Sequence, residues 1–228
     1  MERGDITVIV DTLSFSSAVA TAVHHGAVVY PCPTTDDLAA LAARYGAEVA
    51  VRRHEVPAKG RFSLSPLTYV GVAPGTAIVI ASPNGAVCSA YGRGAPHLFV
   101  GGLNNARAVA AAVVSLLDAT DLSVTMVACG ERWKAPTEDG ALRFALEDYL
   151  AAGAILSHLS HSRSPEARAC AASFVGARDD LAQLVEDCAS GRELRAMGYG
   201  ADAVHAAMLD CYDTVPVMRG ERLERLHP

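Results

Sequence analysis

The chain has 228 residues, of which 51% are hydrophobic and only 19% charged, and its formal net charge is −6. That much apolar surface excludes a disordered polyelectrolyte. The negative balance excludes a basic field that would hold nucleic acid or an anionic membrane, leaving only local cations for a small anion.

The first residues run directly into an apolar strand, without the basic, apolar and small-residue zones of a secretory signal. No apolar run reaches the roughly 18 residues of a membrane helix, so a soluble cytoplasmic protein is expected. Strands are predicted at 6–10, 27–30, 48–51, 77–80, 97–100 and 124–128. Ala-rich amphipathic stretches predict helices at 16–25, 35–45, 88–93, 106–118, 144–160, 165–177, 179–188, 191–197 and 201–209. The strands are apolar on both faces, as a sheet covered on both sides by helices requires. The expected fold class is α/β, a three-layer α/β/α sandwich forming one unit over 1–228.

Two stretches share an order of elements. Val8-Ile9-Val10 leads through a polar turn and a small-residue helix to Gly26-Ala27 and a strand. Ile78-Val79-Ile80 leads likewise to Gly94-Ala95 and a strand ending in Phe99-Val100. The offset of about 70 residues suggests an internal duplication. Its halves would be 5–70 and 75–130, followed by a helical part at 141–212. The turns at 11–17 and 82–85 would then converge at the carboxyl ends of neighbouring strands, where open α/β sheets place ligands. Between the halves, 52–74 reads as a long loop, either functional or mobile. A second loop surrounds Glu138-Asp139-Gly140.

Asp11 follows a strand and precedes a helix rich in Ser and Thr. A carboxylate there can hold Mg²⁺ or attack phosphorus, or serve simply as a turn residue. Ser14, Ser16 and Ser17 offer hydroxyls to phosphate oxygens, or cap the helix. Ser82-Pro83-Asn84-Gly85 follows another strand and makes either a sharp turn or a second phosphate contact. Asn104 and Asn105 read most simply as helix caps, with ligand contact the alternative. Glu131 ends a strand and suits a hard cation, and Arg132 beside it could meet an acidic substrate. Glu147 and Asp148 enter a very apolar helix, where burial is costly unless they are paired or bind metal. The six cysteines are dispersed without a CxxC pair, so reduced, non-catalytic thiols are expected. His158 and His161 read as a solvated helix end. No GxSxG, HExxH or P-loop pattern occurs.

In this order the pieces resemble the 2-phosphosulfolactate phosphatase family. The resemblance is carried by Val10-Asp11-Thr12-Leu13, Ser65-Pro66, Pro83-Asn84-Gly85, Gly102-Leu103-Asn104-Asn105-Ala106 and Ala128-Cys129-Gly130-Glu131. It continues through Phe144-Ala145-Leu146-Glu147-Asp148, Ala152-Gly153-Ala154, Ser190-Gly191-Arg192-Glu193-Leu194 and Val215-Pro216-Val217. It implies an α/β/α architecture with internal repetition and a Mg²⁺-dependent phosphomonoesterase releasing sulfolactate. Asp11, Asn84, Glu131, Glu147 and Asp148 would surround metal and phosphate. The chain departs from the family at Ser14-Phe15-Ser16-Ser17, where an arginine and threonines are common. It departs again at Arg61-Phe62-Ser63-Leu64, where the family usually carries an Asn and an acidic residue. Arg52, Arg53, Lys59 or Arg61 would have to supply the missing cation. The expected partner is a small phosphorylated substrate, with no nucleic acid or membrane, and homo-oligomerisation is left open. The rival reading is a non-catalytic protein binding a small phosphorylated or anionic ligand on the same fold.

Overall fold

A computed structural model of the chain describes residues 6–34, 36–133 and 140–227. Thr35, at the expected start of one helix, and Glu138 and Asp139 of the second loop lie outside the described residues.

The strands are β1 (Ile6–Val10), β2 (Val28–Cys32), β3 (Glu48–Val49), β4 (Ala77–Ala81), β5 (His97–Gly101), β6 (Val124–Ala128), β7 (Glu131–Arg132), β8 (Leu142–Arg143), β9 (Pro216–Arg219) and β10 (Arg222–Arg225). The helices are α1 (Ser17–His24), α2 (Leu38–Tyr45), α3 (Gly85–Tyr91), α4 (Ala106–Ala119), α5 (Leu146–Ser157), α6 (Pro165–Ala177), α7 (Leu181–Asp187), α8 (Ala189–Ala196) and α9 (Gly200–Ala206). Eight strands form one mixed sheet in the order β3-β4-β2-β10-β9-β5-β1-β6, while β7 and β8 form a separate hairpin. The architecture is an α/β sandwich.

Successive side chains of a strand face opposite sides, and here both sides are buried. Ile9, Val29, Ile78, Ile80, Leu98 and Val100 share one apolar cluster with α1. Their sequence neighbours point the other way: Val8, Val10 and Phe99 pack against α4, α5 and α6, and Tyr30 and Val79 against α2. This explains why the strands read as continuous apolar runs rather than alternating ones.

Two features depart from the expected arrangement. The terminal hairpin β9–β10, not predicted as strand, lies at the centre of the sheet and joins a parallel triplet β5-β1-β6 to a parallel triplet β3-β4-β2. Because β9 is antiparallel to β5 and β10 antiparallel to both β9 and β2, the two triplets run in opposite directions. The segment 52–74 is also no free loop. Its Phe62, Tyr69 and Val72 are buried in the α1 cluster, and the Tyr69 hydroxyl donates to the Ser63 carbonyl at 2.6 Å.

Candidate active site

The turns after β1 and β4 do meet, although their strands are not neighbours: β1 pairs with β5 and β6. Strands five places apart would lie about 24 Å apart in a flat sheet at the usual spacing. The Gly85 N–H donates to Asp11 Oδ2 at 2.6 Å, and the Ser82 hydroxyl donates to the same oxygen at 3.3 Å. Only glycine fits at position 85: a Cβ there would stand 2.3 Å from a Phe15 ring carbon and 2.7 Å from Asp11 Oδ2.

The Asp11 turn is held from within. Ser16 Oγ accepts the Asp11 N–H at 2.9 Å, and the Ser16 N–H returns to the Asp11 carbonyl at 2.7 Å. The Ser17 hydroxyl donates to the Thr12 carbonyl at 2.6 Å. Ser16 and Ser17 therefore shape the turn, and Ser14 alone of the three serines lines the cavity in front of Asp11.

That cavity holds about 180 Å³ and is walled by Asp11, Ser14, Arg53, Ser82, Asn84 and Glu131, with Ser190 and Glu193 of α8 closing one side. Glu131 Oε1 accepts from Asn84 Nδ2 at 3.1 Å and from the Arg132 N–H at 2.8 Å. The Arg132 guanidinium turns away to the Gly140 carbonyl, at 2.8 Å. Arg53 reaches in from 52–74: its Nη2 donates to Ser14 Oγ at 2.6 Å, and its Nε to Asp202 Oδ2 at 2.8 Å. Asp202, buried in α9, also accepts the Ser65 hydroxyl at 2.5 Å. Asp202 gave no sequence signal, since one Asp in a helix's first turn reads as an ordinary dipole partner.

Glu147 and Asp148 are buried but do not line the cavity. Asp148 bridges two strand ends, accepting the Thr12 N–H at 2.6 Å and the Gly130 N–H at 2.9 Å. Gly130 presents its N–H from a left-handed conformation, φ +72°, where a side chain would be strained. Thr12 in turn donates its hydroxyl to the Glu147 carbonyl at 3.1 Å.

Burial pushes the Asp11 carboxyl up to about 7; the Gly85 N–H opposes this and the Glu131 charge adds to it. Asp148 is raised well above the usual carboxylate range by burial and by the charges of Asp11 and Glu147, against its two backbone N–H bonds. Like charges held this close are what a cation relieves. Among the described residues no three His, Cys, Asp or Glu side chains form a metal cage. Mg²⁺, however, is usually held by one or two carboxylates, with waters and phosphate oxygens completing its shell. Asp11 and Glu131 both line the cavity, so its carboxylate oxygens fit such an ion.

The chain matches the family described as 2-phosphosulpholactate phosphatase over residues 1–221. It is 32% identical over 219 residues to a probable 2-phosphosulfolactate phosphatase of Gloeobacter violaceus, covering 93% of this chain and 87% of the relative. A protein of the same description from Carboxydothermus hydrogenoformans is 30% identical over 215 residues, covering 92% and 84%. With these matches along nearly its whole length, the chain belongs to the 2-phosphosulfolactate phosphatase family.

Proposed function

We propose that the chain is a Mg²⁺-dependent phosphatase that hydrolyses the phosphomonoester of a small phosphorylated acid of the 2-phosphosulfolactate kind. Family membership supports the reaction class, a phosphoric monoester hydrolase. The carrying observation is one cavity lined by the carboxylates Asp11, Glu131 and Glu193 together with one cation, Arg53. Mg²⁺ bound at Asp11 and Glu131 would neutralise phosphate charge and hold the group in place.

The chain's own groups supply the rest. Arg53 is the only cation among the described residues lining the cavity. Its Nε and Nη2 are pinned by Asp202 and Ser14, which leaves Nη1 for an anionic oxygen of the substrate. Asn84 is oriented through Glu131 and offers its second amide hydrogen to a phosphate oxygen. Asp11 stands where it either attacks phosphorus or orients an attacking water. Its Oδ2 is fixed by Gly85 and Ser82, which holds the carboxylate in one orientation at the cavity wall. Phosphoryl transfer needs little more than such positioning and charge stabilisation. Glu147 and Asp148 fix the turns that carry these groups.

The test is phosphate release from a panel of phosphorylated hydroxy acids, sugars and nucleotides, with Mg²⁺ and after exhaustive chelation. Release from the acids that disappears with EDTA and returns with Mg²⁺ is expected. Full turnover in metal-free protein would remove the ion from the mechanism, and no release from any compound would overturn the hydrolase reading.

A further inference from the structure

The chamber around Asp11, at about 180 Å³, falls below the roughly 300–1,000 Å³ of ordinary ligand pockets. A second cavity of about 480 Å³ abuts it, and Arg53, Leu64, Pro83 and Met197 wall both. No step of the hydrolysis uses this second space. Its walls are of another kind: Leu38, Ala50 and Val51 are apolar, and the Tyr199 ring lies under the Arg53 guanidinium, 5.6 Å from centroid to carbon. Arg52 and His54 stand at its exposed margin, and no carboxylate is among the described residues lining it. Of the shared residues, Met197 is 55% exposed. Its unbranched thioether can therefore swing aside and join the two spaces.

We propose that the second cavity receives the organic body of the substrate, so that the chain takes phosphorylated organic acids longer than a three-carbon one. The apolar body would lie against Leu38, Val51 and Tyr199, with the far acid group toward Arg52 and His54. The proposal rests on the hydrolase reading for the phosphate end, while its own content is the length and acidity of the leaving group.

The experiment titrates the full-length protein, with Mg²⁺, with unbranched ω-phosphonocarboxylic acids of two to eight carbons in a calorimeter. Turnover of the matching phosphate esters is measured alongside. Affinity is expected to rise at least about tenfold between the two-carbon and six-carbon compounds, as burying two or three methylenes gives. Ala50→Phe, which fills the cavity, should abolish that rise and leave the two-carbon compound within about twofold. Leu38→Trp, on a partly exposed helix end, serves the same purpose if Ala50→Phe does not fold. Arg52→Gln should weaken the long acids several-fold and leave alkyl phosphonates of equal length unchanged. Affinity flat or falling with length in the parent would overturn the proposal, as would equal losses for short and long compounds in a filled variant that still melts like the parent. Length-dependent binding without turnover would refute hydrolysis and support the cavity's assignment; turnover of short esters alone would do the reverse.

Discussion

In the proposed reaction Asp11 carries the heaviest chemical load, and it is buried to 5% exposure. Asp11→Asn keeps an oxygen for the Gly85 N–H and removes the charge that burial disfavours. The variant should therefore melt no lower than the parent while turnover falls at least about 100-fold, roughly 2.7 kcal/mol of barrier. Mg²⁺ should raise the parent's melting temperature and leave the variant's unchanged. Near-parent turnover in Asp11→Asn would reduce Asp11 to a turn residue. His205 makes a separate prediction. Its Nε2 lies 3.1 Å from the Thr21 hydroxyl oxygen and 3.2 Å from that of Tyr212. Burial lowers its pKa, against the charge of Asp202. The neutral ring is thus favoured in the folded state, so its contribution is present above the ordinary value of about 6.5 and lost as the pH falls through the lowered one. Urea melts should show His205→Gln losing less stability than the parent between pH 7.5 and 5.5; equal losses would assign the acid sensitivity elsewhere.

Helix contacts turn on small residues. Gly153 of α5 faces α6 so closely that a Cβ would sit 2.4 Å from the Cys170 carbonyl oxygen and 2.9 Å from Phe174 Cβ. Backbone cannot yield as a flexible side chain does, so Gly153→Ala should cost about 1–3 kcal/mol. Gly176, near the end of α6, has nothing within 4 Å of its Cβ position. Gly176→Ala should therefore be neutral or stabilising by up to about 1 kcal/mol. Chemical denaturation of the two variants checks the contrast, and similar effects from both would refute the packing argument. Strands β1 and β6 were legible to the residue, and α6 likewise, because apolar period and caps agree there. Thr35–Tyr45 was expected as one helix, but α2 starts at Leu38 because Asp37 caps it, accepting from the Ala39 and Ala40 N–H groups. β9 and β10 were illegible. They are short, β9 ends on an arginine and β10 both begins and ends on one, and β9 opens on a proline, so no apolar run of strand length marks them.

At the scale of the whole molecule, the Arg53–Asp202 pair ties 52–74 to α9 and sets the cation of the cavity. Asp202 is 2% exposed, so Asp202→Ala leaves a poorly compensated guanidinium and an unpaired Ser65 hydroxyl. The loss should approach about 3 kcal/mol, with faster proteolysis within 52–74 as a second reading. A loss under about 1 kcal/mol would show that the segment is held by Phe62 and Tyr69 instead. By itself the sequence determined the α/β class, both-face burial of the sheet, and carboxylates at the ends of strands, because those follow from period and composition along short windows. The resemblance it carried was sufficient to anticipate the family. Only the tertiary structure decided that Glu131 shares the cavity with Asp11 while Asp148 stands behind it, that Ser16 and Ser17 serve the turn, that Arg132 points away, and that Arg53 alone of the candidate cations enters the cavity beside Asp11. Those outcomes depend on a sheet whose central hairpin comes from the far end of the chain. Contacts between residues 74 and 149 positions apart, such as Gly85 to Asp11 and Asp202 to Arg53, leave no period in the sequence from which they could be read.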